Sequence, residues 1–228
     1  PVIVYGIPVL SVTNGDYDGN WTAKNVSFHF DSTNKLNGIK YYFKTEKNPN
    51  WTPLSSDYFV VNTNGDDVYY FKAVNSEGVE SEISQGYRVK FDNVKPKFTL
   101  EQSVTALTNQ SYTVNIKNIT VGESGVKAIT LNGEDITGQT EFTVNENGAY
   151  TVVITANNGL SNTQTLNVNN IDKSAPVVNS ISLEHKVKGG IARLLNALTF
   201  GKFFNEQVEI TISSEDIGVA GIDRVEYR

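Results

Sequence analysis

The chain has 228 residues, with 19 Lys+Arg against 25 Asp+Glu, a formal charge of −6 and a pI of about 5.0. Hydrophobic residues make up 39% and charged residues 19%, enough apolar material for packed cores, which excludes a disordered chain. Zero cysteine excludes thiol nucleophiles, disulfides and thiolate metal sites, and an acidic chain repels phosphate backbones, so nucleic acid is not expected as a partner. Methionine is also absent, and the chain reads as part of a longer protein. Avoidance of cysteine favours an exported protein, because an exposed unpaired thiol is a liability outside the cell. The opening Pro1–Leu10 lacks the basic start and small-residue cleavage site of a signal peptide. No apolar run reaches the roughly 18 residues of a membrane span, so direct membrane insertion is not expected.

In chain order, apolar residues alternate with polar ones at period two, the pattern of half-buried strands. Val26, Phe28 and Phe30 begin it, followed by Ile39, Tyr41 and Phe43 and the run Val68-Tyr69-Tyr70-Phe71. Tyr87-Val89-Phe91, Tyr112-Val114-Ile116, Tyr150-Val152-Ile154 and Val208-Ile210-Ile212 continue it. Between these lie Asn14-Gly15, Asp18-Gly19, Asn37-Gly38, Asn64-Gly65, Asn132-Gly133, Asn147-Gly148 and Asn158-Gly159, which close hairpins by tolerating positive φ. Many short strands at regular spacing predict an all-β chain of sandwiches or barrels. The exception is 187–204, where Ile191, Leu194, Leu195 and Leu198 fit a helical stripe ending at Gly201. A membrane-surface helix is one reading; the favoured one is a short helix closing the open end of a third sandwich.

The chain also repeats. Phe91 to Pro96 (FDNVKP) and Ile171 to Pro176 (IDKSAP) share hydrophobic-Asp-x-x-x-Pro, spaced by 80 residues. Gly38-Ile39-Lys40, Gly125-Val126-Lys127 and Gly221-Ile222-Asp223 form a second landmark. With Pro1, Pro96 and Pro176 as starts, the expected domains are 1–95, 96–175 and a partial 176–228 containing the amphipathic segment 187–204. The third ends at Val225-Glu226-Tyr227-Arg228, inside its expected third strand, and is held by docking on the second or by pairing with another copy.

Asp18-Gly19-Asn20-Trp21-Thr22, Asn50-Trp51-Thr52-Pro53-Leu54, Tyr70 to Glu82 and Val89 to Pro96 together resemble the bacterial Ig-like repeats of Gram-positive secreted and cell-surface proteins. Tyr150-Thr151-Val152 and Asn170 to Pro176 resemble the same class, and Leu195 to Phe204 resembles a segment that often precedes such repeats. The resemblance covers nearly the whole chain and implies tandem immunoglobulin-like β-sandwiches, the third truncated. It implies a location outside the cell, on the surface or wall of a Gram-positive bacterium. The implied partners are adjacent Ig-like domains and a protein or glycan of a host or neighbouring cell. The usual Asp-x-x-Gly-Asn hairpin is replaced by Asn75-Ser76-Glu77-Gly78-Val79 and by Asn157-Asn158-Gly159-Leu160. At the linkers, Asp92 and Asp172 are expected to cap the turn, and Pro96 and Pro176 to end one strand and start the next domain with little slack.

Chemistry is sparse. His29 falls at a polar-face strand position and His185 has no nucleophile or second histidine at ligand spacing, so no catalytic site is expected. Asp16-x-Asp18-x-Asn20 matches the first three positions of a calcium loop, but Trp21 and Ser27 stand where an EF-hand needs Gly and Glu. A weak surface Ca²⁺ site completed by Asp66 and Asp67 is the functional reading; a solvated acidic turn is the favoured one. No other cofactor is expected. Trp21 and Trp51 are expected in the core, whereas alternation turns one of Tyr41/Tyr42 and one of Tyr69/Tyr70 outward. Tyr42 and Tyr70 are the candidates for stacking on a sugar. The function expected is a non-catalytic stalk or adhesive module; the alternative is an accessory, glycan-binding module of a secreted carbohydrate-active enzyme.

Overall fold

A computed structural model describes residues 6–33, 38–185, 190–199 and 208–226. Cα packing groups the chain into two compact units: Pro1–Glu101 with Val114–Phe142 and Ala149–Asn167, and Gln102–Thr113 with Thr143–Gly148 and Val168–Arg228.

The first seven strands are β1 (Leu10–Thr13), β2 (Val26–Ser32), β3 (Ile39–Thr45), β4 (Thr52–Pro53), β5 (Tyr58–Val61), β6 (Gly65–Asn75) and β7 (Tyr87–Phe91). They form a three-stranded sheet, β1-β2-β5, and a four-stranded sheet, β4-β3-β6-β7. The alternation in β2 is the cause: Val26, Phe28 and Phe30 are buried while His29 and Asp31 face solvent. Register fixes which face each strand offers; Phe28 lies opposite Phe59, and Phe43 opposite Phe71. Phe28 and Phe30 of one sheet meet Phe71 of the other at ring-centroid distances of 4.9 and 4.8 Å. The two sheets are thus joined by an aromatic core.

The same order returns downstream. β8 (Lys97–Gln102), β9 (Tyr112–Thr120) and β12 (Glu141–Val144) form β8-β9-β12. β10 (Val126–Leu131), β11 (Glu134–Asp135), β13 (Gly148–Ala156) and β14 (Ser161–Val168) form β11-β10-β13-β14. In both sets the fourth strand lies beside the third rather than the fifth. This is a fibronectin type III-like form of the immunoglobulin sandwich. Phe142 and Tyr150 stack across its two sheets at 5.9 Å.

β15 (Val177–His185) pairs antiparallel with β16 (Val208–Glu215), as β1 pairs with β2. Between them lies helix α1 (Gly190–Leu198), shorter than the 187–204 segment. It ends when the amide and hydroxyl of Thr199 both donate to the Leu195 carbonyl. Gly201, the expected stop, lies outside the described residues. In the helix, Ile191, Leu194, Leu195 and Leu198 are 43–78% exposed, and the apolar Val177, Val178, Ile181, Leu183 and Ile210 of β15 and β16 are 54–64% exposed. Pro1, Asn37 and Tyr227 also lie outside the described residues; the proline next to β1 is the buried Pro8.

Trp21 and Trp51, expected in the core, are each only half-buried. Phenylalanines and Tyr41 already fill the space between the sheets. Phe71→Ala is expected to lower the unfolding free energy of the first sandwich by about 3–5 kcal/mol, the usual cost of a large core cavity. Chemical denaturation followed by fluorescence reads this directly, because both tryptophans of the chain lie in that sandwich.

Candidate functional site

The densest polar constellation lies where each exit strand ends. Thr22 bridges in parallel to Phe91: its N–H donates to the Lys90 carbonyl (3.1 Å), and its carbonyl accepts from Asp92 N–H (3.0 Å). The same two bonds recur at Thr108, to the Asn170 carbonyl (3.0 Å) and from Asp172 N–H (2.8 Å). Both threonine hydroxyls accept an amide two residues on, from Lys24 and from Gln110. The backbone of each linker aspartate is therefore fixed by its own sandwich.

The side chain points elsewhere. Asp92 is 0% exposed. Its Oδ1 accepts Val94 N–H (2.9 Å), the turn cap expected from the sequence, while Oδ2 accepts the amide and hydroxyl of Ser124. Asn158 completes the clamp, its Nδ2 donating to the carbonyls of Asp92 (2.8 Å) and Val94 (3.0 Å). Pro96 is fully buried beside it. Burial opposes the charge on Asp92, yet the Ser124 hydroxyl with the Val94 and Ser124 amides holds its carboxyl below the usual range.

At Asp172 the pattern is reduced. Ala220 N–H donates to Oδ2 (2.7 Å) and Ser174 N–H to Oδ1 (2.9 Å), and these amides hold the carboxyl below its ordinary range. Pro176 is exposed, unlike Pro96. The receiving loops share a glycine. A Cβ on Gly122 would stand 2.1 Å from an Asp92 oxygen, and one on Gly218 2.1 Å from an Asp172 oxygen. Only glycine permits that approach.

Sequence reasoning singled out Asp92, Pro96, Asp172 and Pro176 but missed Gly122, Ser124 and Asn158. The signal was present: Val121-Gly122-Glu123-Ser124-Gly125-Val126 matches Ile217-Gly218-Val219-Ala220-Gly221-Ile222. Gly125 and Gly221, its recognised landmarks, adopt φ of +72° and +71°.

The acidic loop is an exposed turn. Both oxygens of Asp18 accept from Asn20, through its amide (2.9 Å) and its Nδ2 (3.1 Å), which holds the carboxyl below its usual value. Asp16 is exposed on the same loop. Tyr17 between them packs on the core, and its hydroxyl accepts Lys90 N–H (2.8 Å). Asp66 forms a two-bond pair with Arg88 (2.7 and 2.8 Å), and Asp67 accepts Val68 N–H. Among the described residues no three acidic or imidazole side chains gather as a metal site. His29 is exposed on its strand, as expected.

Tyr42 and Tyr70 lie on the outer face of β4-β3-β6-β7, each paired in register with a lysine: Tyr42 opposite Lys72, and Lys44 opposite Tyr70. Trp51 joins them. The Lys72 ammonium lies 4.8 Å from the Trp51 ring and 5.7 Å from Tyr42; that of Lys44 lies 5.0 Å from Trp51 and 5.7 Å from Tyr70. Lys72, its side chain 10% exposed, is also paired with Glu80. The ring faces are engaged by the protein's own cations.

Strand order and register define the class: tandem sandwiches of the immunoglobulin and fibronectin type III kind. No family profile matches the chain, and no curated protein matches it. Among solved structures, the fibronectin(III)-like modules of Clostridium thermocellum CbhA are similar, at 15% identity over 68% of this chain and 91% of that one, with a TM-score of 0.31. Bacteroides ovatus SGBP-B, solved with a mixed-linkage heptasaccharide, matches at 15% identity over 72% of this chain and 48% of its own, with a TM-score of 0.30. The FN1–FN3 domains of chicken CNTN1 match at 14% over 72% and 66%, with a TM-score of 0.30.

A double-variant cycle tests the cradle. Asp92→Ala is expected to cost about 2–3 kcal/mol, because it leaves buried amides unpaired. Gly122→Ala is expected to cost a similar amount by expelling the carboxylate. The double variant is expected to be no worse than Asp92→Ala alone, since the clash then has no partner. Additive losses in chemical denaturation would mean that the two residues act separately.

Proposed function

We propose that this chain is a non-catalytic spacer of an exported bacterial surface protein, a stalk or adhesive module whose sandwiches are coupled at carboxylate junctions. The single observation behind this reading is the duplicated cradle, Asp92 with Gly122 and Ser124, then Asp172 with Gly218 and Ala220. A linker that only tethered two domains would need no buried, fully hydrogen-bonded carboxylate, because burying a charge costs free energy unless it is paired. Buried bonds on both sides of Asp92 limit the swing of the linker and let a pull on one sandwich reach the next. Absence of cysteine supports export, and the sequence resemblance supports a Gram-positive surface or wall, with a host or neighbouring-cell protein or glycan as the final partner.

The cysteine-free chain makes the test direct. Spin labels at Ser55→Cys and Lys127→Cys, both exposed sites, report the distance across the first junction by pulsed electron resonance. The expected result is one narrow distribution that broadens severalfold with Asp92→Ala; equal widths would sink the coupling.

The junctions also carry a pH signature. A carboxyl depressed in the folded state contributes stability that is present above its unfolded value of about 3.9 and lost as pH falls through its folded value. The amide signals of Val94, Ser124, Ser174 and Ala220 are therefore expected to hold steady from neutral pH down to about 4 and to move only below it. Movement centred above the ordinary aspartate range would contradict this.

The second reading, a glycan-binding accessory module, draws on the outward set Tyr42, Trp51 and Tyr70. A sugar would have to displace Lys44 and Lys72 from the ring faces. Glycan arrays comparing the wild type with Tyr42→Ala/Tyr70→Ala decide it: binding lost in the variant favours this reading, and no binding by either leaves the spacer.

A further inference from the structure

The sheet β11-β10-β13-β14 ends in a strand unlike the other edges of the two complete sandwiches. β14 has eight residues, whereas the other strands that end a sheet there have two to six. Its sequence, Ser-Asn-Thr-Gln-Thr-Leu-Asn-Val, holds no charged residue, proline or glycine. From Asn147 to Ile171 the chain carries no Asp, Glu, Lys, Arg or His, although its net charge is −6. A free strand edge is a template for another strand, and proteins blunt it with charge, proline or irregular pairing.

The first sandwich blunts its corresponding edge. β7 carries Arg88 and Lys90, and the Lys90 amide donates to the Tyr17 hydroxyl (2.8 Å). The segment before β7 bears Glu80 and Glu82 and meets β6 through hydroxyls: Ser81 accepts Ala73 N–H (2.9 Å) and Ser84 accepts Phe71 N–H (3.0 Å). β14 carries no such charge.

Pairing with β13 decides which backbone groups of β14 face outward. Ala156 N–H donates to the Leu160 carbonyl, and the Thr151 and Thr165 hydroxyls meet at 3.0 Å, so Thr165 lies opposite Thr151 and Thr163 opposite Val153. Bonded and non-bonded pairs alternate in an antiparallel ladder. Ala156 and Leu160 are a bonded pair, so the backbone groups of Ser161, Thr163, Thr165 and Asn167 point away from β13. Thr163 N–H agrees, donating to the side-chain oxygen of its neighbour Asn162 (2.9 Å). All four residues are exposed.

A second β14 fits this edge along its whole length. Run antiparallel about Gln164, it sets Thr163 against Thr165 and Ser161 against Asn167 of the other copy, with no like charges opposed. A slip of one residue would face outward backbone groups with inward ones, and a slip of two would leave an end unmatched. We propose that β14 is a self-association edge, through which two copies of the chain join in a two-fold, antiparallel dimer with one sheet continuous across both.

In that dimer Gln164 lies opposite itself in a non-bonded pair, where Cα atoms come to about 4.5 Å and a disulfide can form. The test uses the whole chain, which has no cysteine of its own. Gln164→Cys is expected to give a disulfide-linked dimer on air oxidation, and the exposed control Ser55→Cys is not. Thr163→Lys/Thr165→Lys and Thr163→Glu/Thr165→Glu change only exposed positions, and unchanged circular dichroism verifies that the sandwiches persist. Analytical ultracentrifugation is expected to show a concentration-dependent dimer, weakened roughly tenfold or more in each charged variant and recovered when the two variants are mixed. A monomer at every concentration, equal cross-linking at both cysteines, or a dimer indifferent to these charges overturns the proposal.

Discussion

The structure turns on a division of labour within one residue. Asp92 has its backbone amide bonded to Thr22 in the sandwich it leaves and its carboxylate bonded to Ser124 in the sandwich that follows. Neither half would suffice. Without the amide bond the linker would be free to slide out of register with the exit strand; without the carboxylate the next loop would have no fixed neighbour. The cost of burying a charge is offset by the three bonds it accepts, two of them from the buried Ser124.

This constraint explains why the receiving loop is shaped as it is. The carboxylate oxygens come so close to the Gly122 backbone that no side chain fits, and Gly125 must take a left-handed φ to turn the chain into β10. The loop therefore spends its glycines on approach and on turning, and Ser124 is left to supply donors. Asn158 then joins from the hairpin between β13 and β14, donating to both linker carbonyls.

Much of the fold was legible in the residues because strand burial is a local, period-two property. Val26, Phe28 and Phe30 announce their buried face without reference to any partner. The outward positions of Tyr42 and Tyr70 follow from the same arithmetic. Trp51 was misread because size alone does not decide burial: it sits on the short edge strand region beside β4, where the outer face, with Lys44 and Lys72, was the surface within reach. The junction was half legible. Asp-x-x-x-Pro is a local motif, whereas its partners lie 32 and 66 residues away in sequence, and no local pattern pairs them.

Comparison of the two cradles shows which part does the recognising. At the second, alanine stands where the first has serine, the hydroxyl bond is gone and the proline is exposed, yet the carboxylate still takes the amide of that residue and still excludes a side chain from the glycine two positions before it. What persists is backbone: an N–H at Ser124 or Ala220 and the open space over Gly122 or Gly218. Side chains adjust the strength of each junction, Ser124 and Asn158 making the first the more fully bonded. A device written mainly in backbone leaves few marks on the sequence: an aspartate, a glycine, and the distance between them.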